Sequence, residues 1–244
     1  MTDQIPDIAR LMTALEATWP PAETAEAGGF RLRRGAGGGK RVSAASPTGA
    51  GGNVDAAIAA MAAWGQGALF QLVPGQEALD ADLAVRGFVR VDPTVLYVAP
   101  TALMIGEGPV PAAHAGRFIP VLMAEIWADG GIGPDRLAVM DRVAGPSVRL
   151  LGRAGDRPAG TAFVAIAEDI AMIHAIEVRP AQRRKGVGRQ LIQAGARFAE
   201  KNGAPWFALA VTEANRPART LYESLGMTFA GGYHYRMAEE GSGR

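Results

Sequence analysis

Val178-Arg-Pro-Ala-Gln-Arg-Arg-Lys-Gly-Val-Gly-Arg189 follows an apolar run and precedes a segment with Leu191, Ile192, Phe198 and Ala199 on one helical face. Read locally, a strand ends at Pro180, a basic turn follows, and a helix begins near Val187. That order is a physical recipe for holding an anion. The first N–H groups of a helix lack intrahelical acceptors, point the same way, and carry the positive end of the helix dipole. Gly186 and Gly188 remove side chains that would keep a phosphate from the backbone, and Arg179, Arg183, Arg184, Lys185 and Arg189 surround them with cations. A lone Gly-x-Gly in a solvated basic loop would say less. Two nucleotide motifs do not fit. A Rossmann fingerprint needs a third glycine where Leu191 stands, and a Walker loop needs Gly-Lys-Ser/Thr, whereas Lys185 precedes the glycines.

Working outward, residues 148–153, 160–167 and 170–178 read as strands, the last two joined by a turn at Glu168-Asp169. Residues 187–201 read as a helix, 206–211 as a strand, 217–225 as a helix and 231–237 as a strand. Arg183-x-x-Gly186-x-Gly188, led in by Val178-x-Pro180, resembles the pyrophosphate motif of the GNAT superfamily of acyl-CoA-dependent N-acyltransferases. Asn215-x-x-Ala218-x-x-Leu221-Tyr222-x-x-Leu225-Gly226-Met227 is similar to the second motif of that family, with Met227 where Phe is common. The resemblance runs from about Ser147 to Ala238, and more loosely from Phe118.

The resemblance implies an α+β, GNAT-like fold: a mixed, mostly antiparallel sheet flanked by helices, with acetyl-CoA as co-substrate and no metal. The backbone of Arg184, Lys185, Gly186, Val187, Gly188 and Arg189 would cradle the pyrophosphate, with Arg183 beside it. Ile176 and Val178, either side of Glu177, would pair with the pantetheine arm as if it were an added strand, in a gap beside 206–211. Asn215 would contact the pantetheine or cap the next helix, and Pro217 in the first turn suits the cap. Tyr222 would protonate the departing thiolate. A tyrosine packed on the sheet is the plainer reading of the same residue. The general base stays open among Glu177, His174, Glu168 and a water chain, with Glu177 the named candidate. In a regular strand His174 shares a face with Met172, Ile176 and Val178, and Glu177 with Ile173 and Ala175; a bulge would change this. The expected reaction is direct transfer of an acetyl group to an amine of a small molecule or peptide. The alternative is a GNAT fold that binds acyl-CoA without turnover. Acceptor choice would fall to the loop from Trp127 to Asp135, whose Asp129 and Asp135 would suit a cation.

Composition narrows the rest. The 244 residues suffice for two modest domains, and 48% apolar with 20% charged residues suits a packed core. A net charge of +1 gives no basic excess for nucleic acid. The absence of cysteine excludes a thiolate nucleophile and disulfides. His114, His174 and His234 are too scattered to suggest a metal site. Ile5, Ile8, Leu11, Met12 and Leu15 recur at helical spacing, which suits an amphipathic helix and not an export signal. No apolar run reaches membrane-spanning length, so no membrane partner is expected and the location is expected to be cytoplasmic.

Two domains are expected: a smaller α+β domain over 1–110 and the GNAT-like domain over 111–244, with a linker of Gly and Pro between Pro100 and Gly116. In the first, 30–34 and 42–45 read as a hairpin round Gly35–Gly39, and Ser46–Asn53 as a loop. The reading continues with a helix at 55–64, a strand at 68–73, a helix at 77–85 stopped by Gly87, and a strand at 88–99. Gly35 to Arg41 is no phosphate loop, because Arg34 and Arg41 stand where Gly and Ser/Thr are needed. Leu83 to Phe88 can be set on Tyr222 to Met227 as helix, glycine, strand, which is consistent with a degenerate second GNAT copy and also with a common junction. That copy would complete the cleft, stabilise the active half or form a homodimer. Trp19, Trp64 and Trp127 read as core or interface residues. In the later half, 118–127 and 135–143 read as helices.

Overall fold

The computed structural model describes residues 4–108, 111–114 and 119–238. In chain order its elements are α1 (Ile8–Thr18), β1 (Glu23–Ala27), β2 (Phe30–Arg34), a short 3-10 turn at Lys40–Val42, β3 (Ser46–Pro47), α2 (Val54–Ala63), β4 (Leu69–Leu72), α3 (Glu77–Val85) and β5 (Phe88–Pro100). Then come α4 (Thr101–Met104), β6 (Ala112–His114), α5 (Val121–Asp129), α6 (Pro134–Asp141), β7 (Ser147–Ala154), β8 (Arg157–Ala167) and β9 (Ile170–Val178). The chain ends with α7 (Val187–Lys201), β10 (Trp206–Thr212), α8 (Arg216–Ser224) and β11 (Thr228–Ala238). The fold is α+β with a mostly antiparallel sheet flanked by helices.

Two compact units emerge, each built from separated stretches. Unit 1 takes the chain up to Pro20, Leu96–Val211 and Asn215–Gly231; unit 2 takes Pro21–Val95, Thr212–Ala214 and the chain from Gly232. These units cut the chain differently from the contiguous division at 110/111. Residues 109–110 and 115–118, including Gly116 and Phe118, lie outside the described residues. What is described of the expected linker contains α4 and β6, and the helix expected from Phe118 is observed as Val121–Asp129.

In unit 1 the strand order is β11, β5, β10, β9, β8, β7, β6. β6 to β9 pair antiparallel and β9 pairs parallel with β10. β8 and β9 are buried on both faces, as a strand between two helical layers must be. Trp19, just after α1, packs on Phe163, while Gly195 of α7 packs on Val164. Neighbouring strand residues point to opposite faces, so α1 and α7 cover opposite sides. α1 forms because Asp7 caps it, accepting from Arg10 N at 2.9 Å, and because Leu11, Ala14, Leu15 and Thr18 make one buried stripe. Ile5, expected on that stripe, precedes the helix and is 55% exposed.

In unit 2, Phe30, Phe70 and Phe88 stack edge to face at 5.4 and 5.5 Å, at the centre of a cluster with Leu32, Met61, Leu72 and Leu83. The expected hairpin is corrected here. β2 pairs with β1, a polar strand that carried no apolar signal, and the return after Gly39 makes a 3-10 turn at Lys40–Val42 before pairing over Ser46–Pro47 alone. Trp19 and Trp127 are buried in unit 1, and Trp64 packs on the unit 2 core.

Candidate active site

The site begins with an irregularity in β9. Phe163 stands opposite His174 and Thr161 opposite Glu177, so three steps on β9 match two on β8. This is a β-bulge, and Ala175 within it has φ of +51°. A residue with a Cβ resists that conformation by about 1–2 kcal/mol. Trp127, fully buried on α5, donates from Nε1 to the Ala175 carbonyl at 2.9 Å and holds the bulge. The consequence is a change of facing. His174 and Glu177 fall on the same face, the one covered by α1 and α5, while Val178 turns towards Val187 of α7. The regular-strand grouping of Glu177 with Ile173 and Ala175 is thereby overturned.

The second feature is the parting of β9 from β10. Ile170, Ala171 and Met172 pair with Trp206, Phe207 and Ala208, and pairing stops there. From Ile173 onward this edge of β9 makes no ladder with β10, although both strands continue. Ile176 and Val178 sit on that opened edge, whose backbone can accept an extended ligand.

Beyond β9 the chain makes a short 3-10 turn at Pro180–Gln182 and reverses through two left-handed residues, Arg184 at φ +63° and Gly186 at φ +77°. Gly186 is the N-cap of α7, and no side chain caps the helix there. Its first-turn N–H groups thus face the turn. Gly186 is required by its φ, since the space around it is open. Gly188 serves a different purpose: a Cβ there would lie 3.1 Å from Leu221 Cδ2, so it lets α8 approach. Val187 is buried against Gly152 and Gly160, leaving only its backbone to the turn. Arg183, Arg184, Lys185 and Arg189 are exposed. Arg183 donates to Val178 O at 3.1 Å and pairs with Glu177 at 3.5 Å; Lys185 donates to Gln182 and Arg189 to Ser224. Arg179 pairs instead with Asp129 at 3.1 Å, which spends one of the two loop acids expected to favour a cationic acceptor.

Leu221 against Gly188 and Ser224 against Arg189 bring α8 to the first turn of α7. Asn215 caps α8, its Oδ1 accepting from Ala218 N at 3.2 Å. Tyr222 is 7% exposed, and burial pushes its phenol up to about 12. Its ring lies 6.0 Å from that of Tyr97 on β5. Tyr97 was not found from the sequence, because it sits in the apolar run Val95 to Ala99 and reads there as core.

The three base candidates are separated. The Glu177 side chain, 17% exposed, packs under Gly130 and meets Arg183. His174 is 3% exposed between Trp19 and Phe163. Its Nε2 lies 2.9 Å from Thr18 Oγ1, and that hydroxyl spends its proton on Ala14 O at 2.6 Å, so Nε2 is the donor. Glu168 stands exposed in the β8–β9 turn, at the far end of β9 from Glu177. Among the described residues no three His, Asp or Glu side chains are grouped to hold a metal, and no helix is long and apolar enough to cross a membrane.

Known proteins resemble this chain in sequence and in fold. Residues 125–227 match the Acetyltransferase (GNAT) family. A stretch of 59 residues is 44% identical to a streptothricin acetyltransferase from Streptomyces lavendulae, covering 24% of this chain and 31% of that relative. The chain thus spans less than a third of that relative's length. A GCN5-related N-acetyltransferase from Kribbella flavida superposes with a TM-score of 0.68 at 20% identity, over 96% of this chain and 97% of that one. A tandem GNAT protein from the clavulanic acid biosynthesis pathway superposes with a TM-score of 0.58 at 14% identity, over 96% and 89%. At such identities the structures speak for the fold alone. The match to the Acetyltransferase (GNAT) family thus falls on residues 125–227, the stretch that holds β9, the turn before α7, and α8.

Proposed function

We propose that this protein transfers the acetyl group of acetyl-CoA to a primary amine by direct attack. The observation that carries the reading is the opened edge of β9 leading into an uncapped helix N-terminus ringed by exposed cations. In this reading the turn from Arg183 to Arg189 takes the pyrophosphate. Ile176 and Val178 pair with the pantetheine, and the Asn215 cap sits beside it. The amine nitrogen attacks the thioester carbon, the C–N bond forms, the C–S bond breaks, and coenzyme A leaves as thiolate. The amine proton passes to the Glu177 carboxylate or to water. A free thiol has a pKa near 8.5. A phenol at about 12 is the weaker acid, so Tyr222 steadies the sulfur by a hydrogen bond and keeps its proton. Solvent protonates the thiolate. This revises the outright proton transfer expected from the sequence.

The division into halves 1–110 and 111–244 belongs to this reading as a history of two GNAT copies, as does a homodimer as the assembly. The name of the Streptomyces relative makes streptothricin the first acceptor to try, beside a panel of primary amines.

Calorimetry with acetyl-CoA tests the proposal, using the wild type and Gly186→Leu, where space is open but φ is not. Saturable binding that the variant loses supports it, and release of free thiol with an amine completes it. Binding without thiol release across the panel would favour an acyl-CoA-binding module. No binding by the folded wild type would overturn the reading.

A further inference from the structure

We propose that Tyr97 positions Tyr222 for the reaction, acting through helix α8 without touching substrate. The inference rests on the acyl-transfer reading for Tyr222. Tyr97 is 2% exposed, and its hydroxyl donates to Glu223 Oε1 at 2.5 Å and accepts from Arg219 Nε at 3.3 Å. Its ring leans on the Tyr222 ring at 59°. One side chain of β5 therefore meets positions 219, 222 and 223 of α8, which share a helical face.

A buried tyrosine hydroxyl needs a partner, and one would satisfy it. Here it has two, one charged donor and one charged acceptor, a turn apart on the same helix. Charge-assisted bonds are stronger and more directional than neutral ones. Held this way, α8 can neither rotate nor slide without breaking a bond. Tyr222 has no such anchor of its own: its hydroxyl has no hydrogen-bond partner among the described residues. Ring packing and the rotation of α8 are left to aim the phenol, and Tyr97 controls both. Tyr97 and α8 lie in the same compact unit.

The test compares Tyr97→Phe and Tyr97→Leu in the full chain labelled with fluorotyrosine. The Tyr222 resonance is assigned by its loss in Tyr222→Phe. In fluorine NMR the expected result is one narrow Tyr222 line in the wild type that broadens or splits in Tyr97→Phe. An unmoved, narrow line in both variants overturns the proposal. Should Tyr97→Leu fail to fold, Glu223→Ala breaks the same tie from the exposed side. In thiol release from acetyl-CoA, Tyr97→Phe should lower kcat about 10-fold and leave KM for acetyl-CoA within about 2-fold. In a Tyr222→Phe background the same change should add nothing, and additive losses would count against Tyr97. If the wild type releases no thiol with streptothricin or any amine of the panel, the acyl-transfer reading fails, and the fluorine spectrum still decides whether Tyr97 orders Tyr222.

Discussion

Thr161 stands opposite Glu177 across β8 and β9, and its fully buried hydroxyl has no hydrogen-bond partner among the described residues. Leaving a hydroxyl so placed costs about 1–3 kcal/mol. Valine has the same shape without the polar atom. Thr161→Val is therefore expected to raise the free energy of unfolding by about 1 kcal/mol in urea titration. A fall of that size would mean that the hydroxyl finds a partner in solution.

Ala175 holds the bulge at a left-handed φ. Glycine removes the Cβ penalty but adds freedom to the unfolded chain, and the two nearly cancel. Ala175→Gly is expected to change stability by less than about 1 kcal/mol, while Ala175→Val should lose about 2 kcal/mol, because a β-branched residue resists this region most. Equal stability of the two variants in thermal unfolding would place Ala175 outside the left-handed region in solution.

What could be read in advance follows the physics of signals. α3 and α7 came out with their observed bounds: α7 carries a full buried apolar stripe behind Gly186, whereas α3 buries only Leu83 and is marked by its stop at Gly87. The turn from Arg183 to Gly188 was legible because its residue types have no cheaper structural use together. β1 was not, since Glu23 to Ala27 is an exposed strand whose order comes from pairing with β2. The facing of Glu177 could not be read either. It depends on one extra residue in β9 and on a hydrogen bond from Trp127 to Ala175, 48 positions apart, and periodicity carries no trace of either. The role of Tyr97 is hidden for the same reason: its partners are more than a hundred residues away.

Tyr222 sets a pH expectation. Burial raises its phenol to about 12, so the neutral form is the one favoured by the fold. Its stabilising share is complete below the ordinary phenol value of about 10 and is lost as pH rises through about 12. For turnover the protonated form is present throughout the usual range. The ratio of kcat between wild type and Tyr222→Phe should therefore stay flat from about pH 6 to about pH 9.5. A ratio that collapses below about pH 9 would show a phenol ionising far earlier than burial allows.

Asp80 ties α3 to β11 within unit 2. Arg236 donates to it from Nε at 2.7 Å and from a terminal guanidinium nitrogen at 3.2 Å, and His234 Nε2 lies 2.7 Å away. The bonds from Arg236 first, and then those from His234, outweigh partial burial and hold the carboxyl at about 2, below its usual 3.8. A depressed acid favours its ionised form in the fold. Its stabilisation is therefore full above about pH 4 and disappears as pH falls through about 2. The shift alone would be worth about 2 kcal/mol, but Asp80 keeps some exposure to water and screening halves that to about 1 kcal/mol. Asp80→Asn should accordingly lower the stability of the full chain by about 1 kcal/mol at neutral pH, and the two proteins should converge towards about pH 2. Urea unfolding at several pH values checks both the size and the sign. A gap that widened as the pH fell would mean that the protonated carboxyl is the bonded form, and would remove the ion pair with Arg236 as its cause.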